Sequence, residues 1–329
     1  MKNFILSCDW GTSSFRLRLV DCRNHQIEAE IRSDEGSAAV YNKWKLTDQP
    51  RGPGRIPFYF RELQKHIDSL SDKVSRPLTG ISIVISGMAS SSIGIKELPY
   101  AALPFSLDGN DAIVDALETE NDFPFPVLLV SGIRTRNDVM RGEETQMIGL
   151  ASLMAESGND QVVCILPGTH AKHMKTHQGK LIDFKTYMTG ELFKLLSRDS
   201  ILKESISADS STRPLRQEDV DAFQLGVIQS GKSDLLNTLF SVRTNQLFQL
   251  LTKEENFHYL SGLLIGAELN NLKRQHINHI QLCSESNLHE LYRLGLEQLD
   301  LLERTVFVSP EMMRQAIVEA HIKIFKNHQ

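Results

Sequence analysis

The feature that most constrains this chain is a device it uses twice. Phe4-Ile5-Leu6-Ser7-Cys8 is a short apolar run that reaches Asp9, breaks over Gly11-Thr12, and resumes as Phe15, Leu17 and Leu19 alternating with Arg16 and Arg18. Val162-Val163-Cys164-Ile165-Leu166 behaves alike, breaking over Pro167-Gly168-Thr169 before the mixed stretch His173 to Thr176 and a turn at Gln178-Gly179. A continuous apolar run reads as a buried strand and alternation as a half-buried one, so each segment predicts strand, glycine turn, strand. The two Gly-Thr pairs lie 157 residues apart in a chain of 329. A period near half the chain indicates two similar α/β halves rather than a solenoid.

The intervening pattern fits. Phe60, Leu63, Ile67 and Leu70 form a stripe at helical spacing, Gly80 to Gly87 is a strand bounded by glycines, Val127 to Val130 is another, and Glu143 to Met154 reads as a helix. The spacing places a domain boundary near residue 142, giving domains 1–142 and 143–329. From Thr189, a candidate N-cap, helix signals dominate: Leu192, Leu195 and Leu196, then Val220, Phe223 and Val227, then Leu235 to Phe240. Gly262 and Gly266 share a helical face on which another backbone can approach closely. Ile280 to Leu282 and Val306 to Val308 read as short strands, and Pro310 opens a last helix ending near Phe325.

Composition narrows the partners. Lys plus Arg is 36 against 41 Asp plus Glu, a net charge of -5 with no excess of cations for a phosphate backbone, so nucleic acid is not expected. No apolar run reaches the ~18 residues of a membrane span. The four cysteines, Cys8, Cys22, Cys164 and Cys283, form no C-x-x-C pair. A reduced, cytoplasmic protein is the expectation; an oligomer of identical chains stays open.

Three constellations can carry chemistry. In Asp9-Trp10-Gly11-Thr12-Ser13-Ser14-Phe15-Arg16, a tight turn can aim N–H groups and the Thr12 and Ser13 hydroxyls at phosphate oxygens, and Asp9 suits a hydrated Mg²⁺. A hairpin turn capped by Asp9 is the plain alternative. Leu166 to Lys172 offers a second Gly-Thr turn with Lys172 to meet negative charge. In Asp138 to Gln146, Arg141 can pair with a carboxylate and Glu143 or Glu144 can accept a hydroxyl proton, although acids at a helix start also simply favour the macrodipole. Ser90, Ser91 and Ser92, after Gly87-Met88-Ala89, read as a loop that could line a polyol site; Trp10 could stack on a sugar or fill core. Asp219 and Asp221 read as an acidic helix start, and His276 and His279 as loop residues.

Asp9-Trp10-Gly11-Thr12 resembles the first phosphate loop of the actin, Hsp70 and sugar-kinase superfamily. Together with Met140-Arg141-Gly142-Glu143-Glu144-Thr145-Gln146, Pro167-Gly168-Thr169-His170, Met188-Thr189-Gly190-Glu191-Leu192 and Ser261 to Glu268, the chain resembles the 2-dehydro-3-deoxygalactonokinase family. The resemblance implies a two-lobed, ribonuclease-H-like, actin-like ATPase fold with a nucleotide cleft between the lobes. It implies transfer of the ATP γ-phosphoryl to the 6-hydroxyl of 2-dehydro-3-deoxy-D-galactonate, in galactose or galactonate breakdown. Asp9 would hold Mg²⁺ through water; Gly11, Thr12, Ser13, Gly168, Thr169 and Lys172 would meet phosphates. Glu143, with Glu144 behind it, would be the base. Chemistry rather than the resemblance nominates Arg141 for the substrate carboxylate, since a sugar acid needs a cationic partner, with Trp10 and Met88 as further candidates to face the sugar acid.

The chain departs from the family pattern in three places: Cys283-Ser284-Glu285-Ser286-Asn287-Leu288 where a glycine-bearing adenosine segment is usual, Lys172-His173 where a Trp is usual, and a last helix without its small glycine. Other readings are a kinase for a different keto-deoxy acid, a non-catalytic sensor of sugar acid or nucleotide, and a phosphatase of the same superfamily.

Overall fold

In the computed structural model, residues 3–47, 54–119, 122–154, 161–207, 213–232, 234–275, 277–284 and 288–329 are described. The chain forms two compact units. The first comprises Met1–Glu156, Gly179–Asp183 and Glu311–Gln329; the second comprises Ser157–Gln178 and Phe184–Pro310.

The first unit opens with an antiparallel meander, β1 (Phe4–Trp10), β2 (Phe15–Asp21) and β3 (Gln26–Ser33), followed by helices α1 (Ser37–Lys45) and α2 (Arg55–Val74). β4 (Ser82–Gly87) lies parallel to β1, and the short strands β5 (Ala101–Ala102), β6 (Phe105–Ser106) and β7 (Val114–Leu117) precede β8 (Val127–Val130). The main sheet has the order β3-β2-β1-β4-β8-β7. β9 (Ile133–Arg134) and β10 (Val139–Met140) join β5 in a small sheet, and α3 (Glu143–Leu153) follows. The stripe on α2, with Tyr59, Phe60, Leu63, Ile67 and Leu70 buried, packs with Leu6, Cys8, Leu17 and Leu19 into one core. Period-2 alternation sends Ile5 and Val20 to the other face, where they meet Val318 and Ile322 of the last helix, α10 (Pro310–Asn327).

The second unit repeats the scheme. β11 (Val162–Leu166) and β12 (Ala171–His177) form a hairpin, β13 (Lys180–Tyr187) follows, and β14 (His279–Cys283) and β15 (Thr305–Val308) lie parallel to β11 and to each other. The order β13-β12-β11-β14-β15 matches β3-β2-β1-β4-β8, so the two Gly-Thr devices occupy equivalent places in two similar halves. β13 starts within the first unit, where Lys180 and Leu181 pair with Ser106 and Phe105. Helices α4 (Thr189–Arg198), α5 (Gln217–Ser230), α6 (Leu235–Leu239), α7 (Ser241–Leu247), α8 (Lys253–Arg274) and α9 (Leu288–Gln298) complete the unit. Thr252 and Glu255 cap the start of α8 reciprocally.

Two expectations are corrected. The division falls after Glu156, not at 142, and α10 returns to the first unit. The reason is packing: a Cβ on Gly149 of α3 would stand 1.7 Å from the Ala316 carbonyl oxygen of α10, so these helix backbones touch and α3 stays with the first unit. Thr189 is the first residue of α4 rather than its cap, because its hydroxyl is donated to Glu268.

The glycine face of α8 is used as its spacing implied. A Cβ on Gly262 would lie 2.0 Å from the Phe223 carbonyl oxygen on α5, and one on Gly266 would lie 2.8 Å from the Val227 Cα. Glycine to alanine in a helix ordinarily stabilises by up to ~1 kcal/mol. Here the added carbon strikes backbone, and Gly262→Ala should instead destabilise by about 1–3 kcal/mol in urea denaturation; a neutral or stabilising effect would show that α5 and α8 are not in backbone contact.

Candidate active site

In the first unit, β1 and β4 run parallel with Asp9 beside Ser86 and Trp10 beside Gly87. Their carboxyl ends are where an open α/β sheet places its ligands. Gly87 has φ +86° and lies so close to β1 that a Cβ would sit 2.8 Å from the Trp10 carbonyl oxygen. A Cβ on Gly142, at φ +109°, would be 3.3 Å from the Gly87 Cα. Three backbones therefore stack, which sets the first residues of α3 beside the ends of β1 and β4.

The Gly11 turn is braced from within. Gly11 donates its N–H to the Ser14 carbonyl (2.9 Å), and Ser37 and Ala38 donate to the carbonyls of Gly11 and Thr12. Gly36 packs on the turn where a Cβ would lie 2.3 Å from the Thr12 oxygen. Thr12, Ser13 and Ser14 remain exposed. Asp9 is a fifth exposed with Arg16 Nη1 3.5 Å from Oδ2; burial raises its carboxyl above the ordinary range, opposed by Arg16 and Arg18.

Arg141 is fixed on three sides. Its Nη1 donates to Ser90 Oγ (2.6 Å), its Nη2 to the Leu98 carbonyl (3.2 Å), and its guanidinium stands 4.2 Å from the centre of the Tyr100 ring. The carboxylates that follow differ. Glu143 is partly exposed and accepts the Arg141 N–H at 3.1 Å. Glu144 is 1% exposed, accepts the Gly142 N–H at 2.7 Å and the Thr145 hydroxyl at 3.0 Å, and is pushed up to about 7 by burial and by the neighbouring charge of Glu143.

In the second unit, the Gly168-Thr169 turn is closed by the start of α4. The Glu191 N–H is donated to the Thr169 carbonyl (3.0 Å), and a Cβ on Gly190 would lie 2.5 Å from the Gly168 oxygen. Gly168, Thr189 and Gly190 form one wall of a cavity of about 500 Å³. Further lining comes from Arg213, Pro214 and Leu215, from Phe257, Ser261 and Leu264 among residues of α8, and from Leu288, Leu291 and Tyr292 of α9. An apolar chamber with a few polar groups is the form that takes a small ligand with a flat apolar part.

The sequence model of the 2-keto-3-deoxy-galactonokinase family matches residues 9–320. The chain belongs to this family. A Rhizobium meliloti (strain 1021) protein assigned as a 2-dehydro-3-deoxygalactonokinase is 31% identical over 308 residues, covering 92% of each chain. The 2-dehydro-3-deoxygalactonokinase of Escherichia coli (strain K12) is 32% identical over 221 residues, covering 66% of this chain and 70% of its own. A Sinorhizobium meliloti crystal structure bearing the same enzyme name superposes with a TM-score of 0.78 at 28% identity, covering 96% of this chain and 97% of that one. The fold is thus the actin-like sugar-kinase fold expected of the motifs.

Not every singled-out residue reaches a surface. Trp10 is fully buried, its ring against Phe15 and Tyr59 and its Nε1 donated to the Glu35 carbonyl, so it fills core and does not offer a face to a sugar. Lys172, 5% exposed, is buried within β12 opposite Leu166 and does not stand on the turn. Gly11 spends its N–H inside its own turn, leaving Thr12 and Ser13 as the outward groups. Met88 is half-buried just past β4. The serine loop is pinned: Ser90 donates to the Val130 carbonyl at 2.6 Å and Ile95 to the Ala89 carbonyl at 2.7 Å. His276 and Glu285 to Asn287 lie outside the described residues. Among the described residues no helix is long and apolar enough to cross a membrane, and no three His, Cys, Asp or Glu side chains gather to hold a metal.

Some groups escaped the sequence reading. Asp219 is a fully buried carboxylate gripped by Arg213 at 2.5 Å and 2.8 Å and held well below the usual range by that guanidinium, where an ordinary acidic helix start was expected. Glu268 was visible only as the last letter of a motif, and Tyr100 carried no signal at all.

The elevated Glu144 carboxyl has a thermodynamic consequence. Between the unfolded value near ~4.3 and about 7, the folded chain holds a proton that the unfolded chain has lost, so stability falls as pH rises through that window. Glu144→Gln keeps an oxygen for the Gly142 N–H and removes the titration. From about pH 4.5 to pH 7.5 the native protein should lose up to about 3 kcal/mol relative to the variant in urea denaturation; parallel profiles would show that Glu144 titrates as an ordinary acid.

Proposed function

We propose that this chain transfers the γ-phosphoryl group of ATP to the 6-hydroxyl of 2-dehydro-3-deoxy-D-galactonate, in the cytoplasm, as a step of galactonate breakdown. Family membership supports the reaction and the substrate class. The observation that carries the residue roles is the presence of both a fixed guanidinium, Arg141, and a partly exposed carboxylate, Glu143, which accepts the Arg141 backbone N–H, next to the ends of β1 and β4.

A sugar acid differs from a neutral sugar by its carboxylate, and a guanidinium already held by Ser90, the Leu98 carbonyl and Tyr100 loses little freedom on binding it. Glu143 takes the proton of the attacking hydroxyl. Glu144 is too deeply buried for that task and instead anchors the start of α3 through Gly142. In the first unit Thr12 and Ser13 offer hydroxyls to phosphate oxygens; in the second unit, taken by itself, the Thr169 hydroxyl and the backbone at Gly168 are the groups for phosphate, and the cavity there receives the adenosine. Asp9 fits a Mg²⁺ held through water: it is one partly exposed carboxylate whose contact with Arg16 is long, and Mg²⁺ keeps most of its waters when phosphates supply other ligands. When bound, the ion would neutralise charge on the transferring phosphoryl group.

Steady-state kinetics test these roles. Glu143→Gln should lower kcat by about 10²–10⁴ with little change in KM. Arg141→Ala should raise KM for the sugar acid by about tenfold or more, as the loss of a charged hydrogen bond requires, and leave KM for ATP unchanged. Ser261→Phe, which fills the cavity, should abolish ATP binding in calorimetry while sugar-acid binding persists. Normal turnover in Glu143→Gln would overturn the base assignment, and normal ATP affinity in Ser261→Phe would remove the nucleotide from the cavity.

A further inference from the structure

Beneath the cavity lies a side chain for which the proposed chemistry has no use. Glu268 of α8 is 2% exposed, and its carboxylate takes three hydrogen bonds from three different elements. His173 of β12 approaches Oε1 through Nε2 at 2.8 Å; Tyr292 of α9 donates its hydroxyl to Oε2 at 2.8 Å; Thr189, the first residue of α4, donates to the same oxygen. Thr189 and Tyr292 are both cavity walls, whereas Glu268 and His173 do not line it.

We propose that Glu268 is the positioning residue of the nucleotide half-site: through His173, Thr189 and Tyr292 it fixes the Gly168-Thr169 turn and the cavity walls in the arrangement that a nucleoside triphosphate requires. This rests on the reading that the cavity receives ATP.

The linkage is short. Thr189 precedes Gly190, whose backbone presses on Gly168 and Thr169, and Glu191 donates its N–H to the Thr169 carbonyl. His173 lies on the strand leaving the same turn. One carboxylate thus holds the turn from its exit strand and from the helix laid over it, and sets the α9 wall as well. Three donors converging on one site explain why the residue is an acid: a carboxylate has acceptor sites for all of them, and a leucine has none. Burying it would be costly without those bonds.

Glutamine separates positioning from charge. Its oxygen can accept both hydroxyls, and its NH₂ can be met by His173 in the tautomer protonated on Nδ1, an atom with no partner here. Full-length Glu268→Leu should raise KM for ATP about tenfold and leave KM for the sugar acid within twofold, while Glu268→Gln stays within about threefold of the native value for both. His173→Leu, away from the cavity, should raise KM for ATP in the same direction and serves if Glu268→Leu does not fold. The proposal is overturned if Glu268→Leu and His173→Leu bind ATP normally, if both substrates are affected alike, or if Glu268→Gln is as impaired as the leucine variant. Ser261→Phe keeps the two ideas apart: loss of ATP binding there, with none in Glu268→Leu, sinks only the role of Glu268, whereas normal ATP binding in Ser261→Phe sinks the cavity reading itself.

Discussion

The contact on which the candidate site depends is made by backbone. Gly87 lies against the Trp10 carbonyl and Gly142 against Gly87, and both glycines have positive φ. A side chain at either position would be strained by its backbone angle, and at Gly87 it would also collide with the end of β1. With that approach, Arg141 and Glu143, which follow the small sheet, stand beside the end of β1 that carries Asp9, more than a hundred residues earlier in sequence. The same strand end is tied to the hydrophobic core, because the Trp10 side chain packs with Phe15 and Tyr59 in the cluster that holds the α2 stripe.

Three of the buried acids, Asp219, Glu144 and Glu268, meet the cost of burial in different ways, and the differences follow their partners. Asp219 has the guanidinium of Arg213 and is held ionised. Glu144 has only an amide and a hydroxyl, with a second carboxylate beside it, and rises to about 7. Glu268 gathers two hydroxyls and an imidazole from three elements. Only the first arrangement is an ion pair with a permanent cation, and it secures the start of α5. The other two fasten segments that bound the proposed substrate sites, where a fixed positive charge would alter the binding of phosphate or carboxylate.

The fold was legible because its strongest signals are local. Five-residue apolar runs, a glycine turn and an alternating partner strand specify a hairpin wherever they occur, and finding them twice gave the two halves. The Gly262 and Gly266 face was legible for the same reason: its period is helical and its partner needs only to be a backbone. What could not be read depends on which distant residue arrives. Trp10 beside a Gly-Thr turn reads equally as a sugar platform or as core until Phe15 and Tyr59 are seen around it. Asp219 looks like an ordinary helix-start acid until Arg213 folds over it. Tyr100 gains meaning only when Arg141 stacks on it, and the domain boundary moves because α10 returns to pack on α3.

That last contact also bears on the departures from the family pattern. The last helix lacks the small glycine expected there, a change that could have opened a gap between helices. In this chain the close approach is made by Gly149 of α3, where a Cβ would lie 1.7 Å from the Ala316 carbonyl oxygen of α10. Close approach of two helices needs one surface without side chains, not a particular helix to provide it. Since α3 carries Glu143 and Glu144 at its start, this contact holds the body of the helix whose first turn carries the proposed base.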